Sequence, residues 1–185
     1  MIKITGGKLR GQVLKTPSSA TTHPMGARER LALFNAVMSR RALEGAAVLD
    51  LYAGSGALGF EALSRGAQTV EFVEKSPEAG RVIWENAANL AFQTRIKLHQ
   101  KPVENFLNKL SKTAQFDVIL VDPPYDNFNW QEFHELSRQL KKGGVLALSH
   151  PQSFKPNTEE AVFSDLTLES TKAYAAARIS LFTKN

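Results

Sequence analysis

After Gly45 the chain repeats one pattern five times, a short apolar run followed by a stretch with other spacing, and this pattern limits the available folds more than any other feature. The runs are residues 46–51, 69–73, 96–99, 116–121 and 145–149. Near-continuous apolar runs of this length read as strands buried on both faces. The stretches between them fit helices over 56–64, 77–91, 103–110 and 130–140. Strand and helix in alternation predict an α/β fold, a doubly wound parallel sheet with helices on both sides. Residues 167–171 and 176–183 are two further strand-like runs with no long helix between them, so they should pair antiparallel. The expectation is a seven-stranded, mostly parallel sheet with an antiparallel last strand.

Residues 1–45 form a different kind of segment. Ile2 and Ile4, then Val13 and Leu14, with Gly6, Gly7 and Gly11 between, predict a small β-hairpin. A Pro-, Ser- and Thr-rich loop spans 15–26, and residues 27–41 fit a helix with an apolar stripe of Leu31, Phe34, Val37 and Met38. This extension carries eight basic side chains against Glu29 and Glu44, a net +6, whereas the other 140 residues carry 15 basic and 16 acidic groups, a net −1. An arm with all the excess charge, beside a near-neutral body, suits the backbone of a nucleic acid. The expected division is therefore a basic extension over 1–45 and a catalytic domain over 46–185.

Composition narrows the class. At 43% apolar and 22% charged residues, the 185-residue chain can bury a core and is not mainly disordered. It has no apolar run near the roughly 20 residues that span a bilayer and no secretory h-region, so a cytoplasmic protein without membrane contact is expected. With no cysteine and four scattered histidines, no metal is expected.

The turn after the first long strand reads Asp50-Leu-Tyr-Ala-Gly54-Ser-Gly56-Ala-Leu-Gly59. Glycines between a strand and a helix let backbone N–H groups approach a ligand, although a tight structural turn uses the same residues. Glu74, at the tip of the next strand, is suited to accept two ribose hydroxyls. Asp50 argues against a dinucleotide: at roughly 6 Å it would repel each pyrophosphate charge by about 3 kcal/mol at an effective dielectric of about 20. A helix dipole offers only ~0.3–2 kcal/mol in return. S-adenosylmethionine lacks phosphate and carries an ammonium group that an acid attracts.

The fourth long run ends in Asp122-Pro123-Pro124-Tyr125. Two prolines stiffen the turn and remove two donors, leaving carbonyls to face the crevice at the carboxyl ends of the strands. An exocyclic base amine could lodge its hydrogens on the Asp122 carboxylate and the Pro123 carbonyl, which aims the nitrogen lone pair at a methyl donor. Tyr125 could stack on the base.

These residues resemble the RsmD-like ribosomal RNA guanine-N2 methyltransferases, within the Rossmann-like class I S-adenosylmethionine-dependent fold. The resemblance runs through Ile4-Thr-Gly-Gly-Lys-Leu-Arg-Gly11, Leu33-Phe34-Asn35, residues 48–67, Phe72-Val-Glu74, Phe116-Asp117 and Asp122 to Tyr125. It implies methyl transfer from S-adenosylmethionine, leaving S-adenosylhomocysteine, to the exocyclic N2 of guanine 966 in 16S rRNA of the small ribosomal subunit, by a monomer. By position it implies that Asp50, Ala53, Gly54 and Gly56 line the methionine end and that Glu74 and Lys75 lie at the ribose. Pro102 and Val103 would lie at the adenine, and Asp122, Pro123, Pro124 and Tyr125 at the target base; the charge of the arm puts Lys8, Arg10, Arg28 and Arg30 on the RNA. The chain departs from the family pattern at His23-Pro24-Met25, at Leu31 and at Pro102.

Other readings predict different outcomes. A DNA amino-methyltransferase acting on adenine N6 or cytosine N4 would modify naked duplex, but no target-reading domain is apparent in the chain. A non-catalytic S-adenosylmethionine-binding assembly factor would dock on RNA without turnover, and a nucleotide-dependent oxidoreductase would bind NAD.

Overall fold

The computed structural model describes residues 1–18, 25–110, 115–127, 129, 133, 136–156, 165–174 and 177–185. Nine strands are described: β1 Ile2–Lys3, β2 Val13–Leu14, β3 Ala47–Leu51, β4 Thr69–Glu74, β5 Ile96–Gln100, β6 Phe116–Val121, β7 Leu140–His150, β8 Leu166–Ala173 and β9 Arg178–Lys184. The described helices are α1 Ala27–Met38, α2 Ala57–Ser64, α3 Pro77–Asn89, α4 Val103–Leu107 and α5 Leu136–Gln139. The helix expected over 130–140 and the His23-Pro24 departure lie wholly or partly outside the described residues.

The main sheet has seven strands in the order β5-β4-β3-β6-β7-β9-β8. Strands β3 to β7 are mutually parallel, and β9 runs antiparallel to both β7 and β8, as the missing helix between the last two runs implied. Side chains alternate into two cores. Val48, Phe72 and Val118 face one side, whereas Leu49, Leu51, Val73, Ile119 and Val121 face the other. Both sides are apolar because both are covered, which is why β6 is buried along its whole length. Strand β7 starts at Leu140 rather than near 145: Leu140 pairs with Phe116, and pairing resumes at Val118–Val145 after a bulge containing Gly143 at φ 69°.

The basic extension shares a core with the body. Ile2, Ile4, Leu14, Leu33, Phe34 and Val37 join the cluster that contains Val48 and Phe72. The buried face of α1 differs from the expected stripe at two of its four positions. Its buried positions are Arg30, Leu33, Phe34 and Val37, while Leu31 and Met38 are 41% and 44% exposed. Sequence reading passes over a charged residue when seeking an apolar face, yet Arg30 sets this face by entering the interior.

Arg30 meets Glu61 on α2, which is fully buried. Glu61 accepts from the Thr5 amide at 2.8 Å, from the Thr5 hydroxyl at 2.7 Å and from Arg65 Nε at 2.9 Å. Arg30 donates to the carbonyls of Met25 and Lys3. Beside this cluster, Lys8 N–H donates to the Ser64 carbonyl at 2.7 Å. Gly7, at φ 77°, comes so close to that carbonyl that any Cβ would collide with it. The hairpin is thus seated on the C-terminal turn of α2 by buried charge and backbone contact.

Candidate active site

Strand register brings the predicted residues to one rim. Leu51 lies opposite Val73 and Val121, so Tyr52, Glu74 and Asp122 follow at one level on adjacent strands β3, β4 and β6. Val121 also lies opposite Leu148, which puts Ser149 beside Asp122. In an open parallel sheet this carboxyl rim is where ligands bind. Pro102 and Val103 lie just past β5, whose Gln100 pairs with Glu74.

The turn after β3 is built from backbone chemistry. Tyr52 adopts φ 60°, a left-handed conformation that costs a residue with a Cβ roughly 1–2 kcal/mol. The Ala53 amide donates to the Val73 carbonyl at 3.1 Å, and the Gly56 amide to the Ala53 carbonyl at 2.7 Å. Gly56 has φ 78°, and Gly59 lies so close to the Phe72 ring that a Cβ would clash with it. Next to Gly54 the reverse holds, since a Cβ there would meet nothing within 4 Å.

Two carboxylates hold this turn. Asp50 is buried and accepts from the Gly59 amide at 2.9 Å, capping α2. Burial, followed by the charges of Asp122 and Glu74, pushes its carboxyl up to about 8 against the opposing pull of the Gly59 amide. Glu74 accepts from the Gly54 and Ser76 amides, each at 2.8 Å and each on a different oxygen. A carboxylate oxygen has two acceptor sites, so both still have capacity for hydroxyls. Open backbone beside Gly54, a carboxyl that gains from a cation and a second that still accepts donors fit S-adenosylmethionine. Near neutrality the raised Asp50 carboxyl carries little charge, so the repulsion expected from it toward a pyrophosphate is reduced. Lys75 is exposed beside Glu74.

Asp122 is partly open to the rim, and Pro123 is buried behind it. Burial pushes the Asp122 carboxyl up to about 6, opposed by a hydrogen bond with Ser149 and reinforced by the charge of Glu29 on α1. The Tyr125 hydroxyl bonds to Ser149 Oγ, and burial pushes the phenol up to about 12. Ser149 and Glu29 were not singled out in the sequence. Ser149 could have been found only from its position at the end of a strand expected beside the Asp122 strand; Glu29 gives no such signal.

Of the four residues expected on RNA, Lys8, Arg10 and Arg28 are exposed and, among the described residues, have no ion pair. Arg30 is corrected: at 2% exposure, and committed to Glu61, Met25 and Lys3, it has no face for a phosphate. Lys15, Arg40 and Arg41 are paired with Glu85, Glu169 and Asp117. No group of three or more potential metal ligands occurs among the described residues, and no described helix is long and apolar enough to cross a membrane.

This sheet order, with a glycine turn after β3 and an acid on β4, defines a Rossmann-like methyltransferase fold, and solved structures agree. A hypothetical protein of Thermus thermophilus, TTHA0928, superposes with TM-score 0.79 at 34% identity, covering 98% of each chain. The Escherichia coli protein yhhF, described as a putative methyltransferase, does so with TM-score 0.83 at 26% identity, covering 99% of this chain and 97% of that one. Residues 2–183 match the family model described as Conserved hypothetical protein 95. The chain belongs to this family, the RsmD-like group that its motifs resemble. The ribosomal RNA small subunit methyltransferase D of Haemophilus influenzae is 33% identical over 132 residues, 71% of this chain and 67% of that protein.

Proposed function

We propose that this protein is an S-adenosylmethionine-dependent methyltransferase that modifies the exocyclic N2 of a guanine in small-subunit ribosomal RNA. The observation that carries the reading is the meeting of the glycine turn, Glu74 and Asp122 to Tyr125 on one rim, in a chain of this family. Asp50, Ala53, Gly54 and Gly56 hold the methionine end of the donor, with Glu74 and Lys75 at the ribose and Pro102 and Val103 toward the adenine. When bound, the donor supplies a methyl group on a positively charged sulfur. Asp122 and the turn at Pro123 and Pro124 hold the amine hydrogens, and Tyr125 lies against the base. No strong base is needed before transfer, because attack acidifies the N–H and its proton can leave afterwards. Orientation of this kind supplies about 7–11 kcal/mol when the geometry is near attack.

Residues 1–45 serve as the RNA-holding part, with Lys8, Arg10 and Arg28 on phosphates. The test is labelled methyl transfer to small subunits that lack the modification, followed by nucleoside analysis. N2-methylguanosine is expected; product at adenine N6, or none, rejects the reading.

Two further outcomes follow. Replacing Lys8, Arg10 and Arg28 together by glutamine reduces the slope of log affinity against log salt by about 0.7–0.9 for each phosphate no longer neutralised. An unchanged slope makes them ordinary surface charge. Donor binding below pH 8 takes a proton from Asp50, whose carboxyl is neutral there in the free protein. Affinity should therefore climb by up to about tenfold per pH unit from about pH 6 to 7.5, with release of about one proton. Calorimetry in buffers of different ionisation enthalpy reads that release. Pure buffer-independent heat contradicts the Asp50 contact.

A further inference from the structure

We propose that Ser149 is a positioning residue for methyl transfer: its hydroxyl accepts from the Tyr125 phenol and donates to the Asp122 carboxylate, so that one side chain orients both groups that meet the target base. This rests on the methyltransferase reading above and adds a residue to it.

The direction of the chain follows from donor count. An ionised carboxylate only accepts, so the single Ser149 proton goes to Asp122. The Tyr125 O–H must then be the donor to Ser149 Oγ. Ser149 is 3% exposed on β7, and register holds that strand beside the end of β6 through the Val121–Leu148 pair. Water has little access to replace the bond, and the ladders to β6 and β9 fix the backbone that carries the serine. Aligned hydroxyls polarise one another, so a Tyr125–Ser149–Asp122 chain is stronger than its separate bonds.

The charges facing Asp122 give this bond its importance. Glu29 from α1 acts on Asp122 as a like charge, while Asp50 on β3, pushed up to about 8, is still protonated where Asp122 ionises. Among the described residues no basic group offsets burial and Glu29 at Asp122; its hydrogen bond with Ser149 is what favours the ionised form. The positive charge that grows on the amine during attack is met better by an ionised acceptor, so losing Ser149 weakens both the alignment of Asp122 and its ionisation.

The experiment compares the wild type with Ser149→Ala and Ser149→Thr, with melting and S-adenosylmethionine calorimetry to verify folding. A hydrogen bond to a charged group makes a tenfold effect the natural scale. Ser149→Ala should lower kcat by about tenfold with KM for the donor nearly unchanged, and Ser149→Thr should recover most of it. The acid limb of the pH–rate profile and the Asp122 carboxyl titration, followed by carbon NMR without any donor, should both move up by about one pH unit. If the wild type methylates RNA while Ser149→Ala keeps its kcat and its Asp122 titration, the Ser149 proposal falls and the methyltransferase reading stands. A kcat loss without the titration shift, or one that threonine fails to recover, reduces Ser149 to a packing residue and also overturns it. If the wild type transfers no methyl group, the functional reading fails; the NMR titration still tests the Ser149–Asp122 bond.

Discussion

Asp122→Ala is expected to bind the methyl donor and transfer its methyl group about a thousandfold more slowly, in the range that loss of a positioned polar group at a reacting centre produces. The same change should make the folded protein more stable at neutral pH. Asp122 has its carboxyl pushed up to about 6, so between its unfolded value near 3.8 and about 6 the folded state binds more protons than the unfolded one. Stability from this group therefore falls as pH rises through that window and stays lower above it. Removing the acid lifts the penalty, by about 1–3 kcal/mol after the lost Ser149 bond is discounted, which is a few degrees in Tm for a chain of this size. At about pH 4 and below, where wild-type Asp122 is protonated, the gain should vanish. A melting series across pH with single-turnover assays reads both effects. A variant that is equally stable at every pH, or one that keeps its turnover, contradicts the role given to Asp122.

Glu61→Gln should destabilise the protein by about 3–5 kcal/mol, the scale for removing one partner of a buried ion pair. The substitution keeps the shape and removes the charge. Arg30 and Arg65, at 2% and 7% side-chain exposure, would then face each other across a neutral amide. Burial already pulls the Arg30 guanidinium below its ordinary value, with the Glu61 charge opposing that pull. The Thr5 amide and hydroxyl lose a charged acceptor in the same step. A Tm lower by roughly 10 °C is expected, with faster amide exchange over residues 1–14 than in β3 or β6. A shift of one or two degrees would mean that apolar burial of Ile2, Ile4 and Leu14 alone seats the hairpin.

Some parts of the molecule were readable from local residues because the causes are local. Strands β3 and β6 are apolar on both faces, and that pattern marks them wherever they sit in the order. Gly56 and Gly59 are needed by a turn and by the close approach of α2 to Phe72, both tied to the Asp50–Gly59 segment. Asp122 to Tyr125 carry their chemistry in four consecutive residues. Misreadings arose where a partner lies far along the chain. Arg30 looked like a surface cation because nothing near it in sequence announces Glu61, and the α1 stripe, correct at Phe34 and Val37, took in Leu31 and Met38 in place of Arg30 and Leu33 for the same reason. Ser149 is an ordinary serine until β7 aligns with β6.

The order of amino acids was enough to establish the strand–helix alternation, the glycine turn with its two acids, the stiff tetrapeptide Asp122 to Tyr125 and the concentration of positive charge in the first 45 residues. Those features depend on backbone freedom, periodic burial and composition, which act over a few residues. Which charges reach solvent, which acids are pushed up by burial and which hydroxyl meets Tyr125 were decided by folding. These properties depend on desolvation and on contacts shorter than about 3 Å, and strand register and helix docking create both from residues dozens of positions apart.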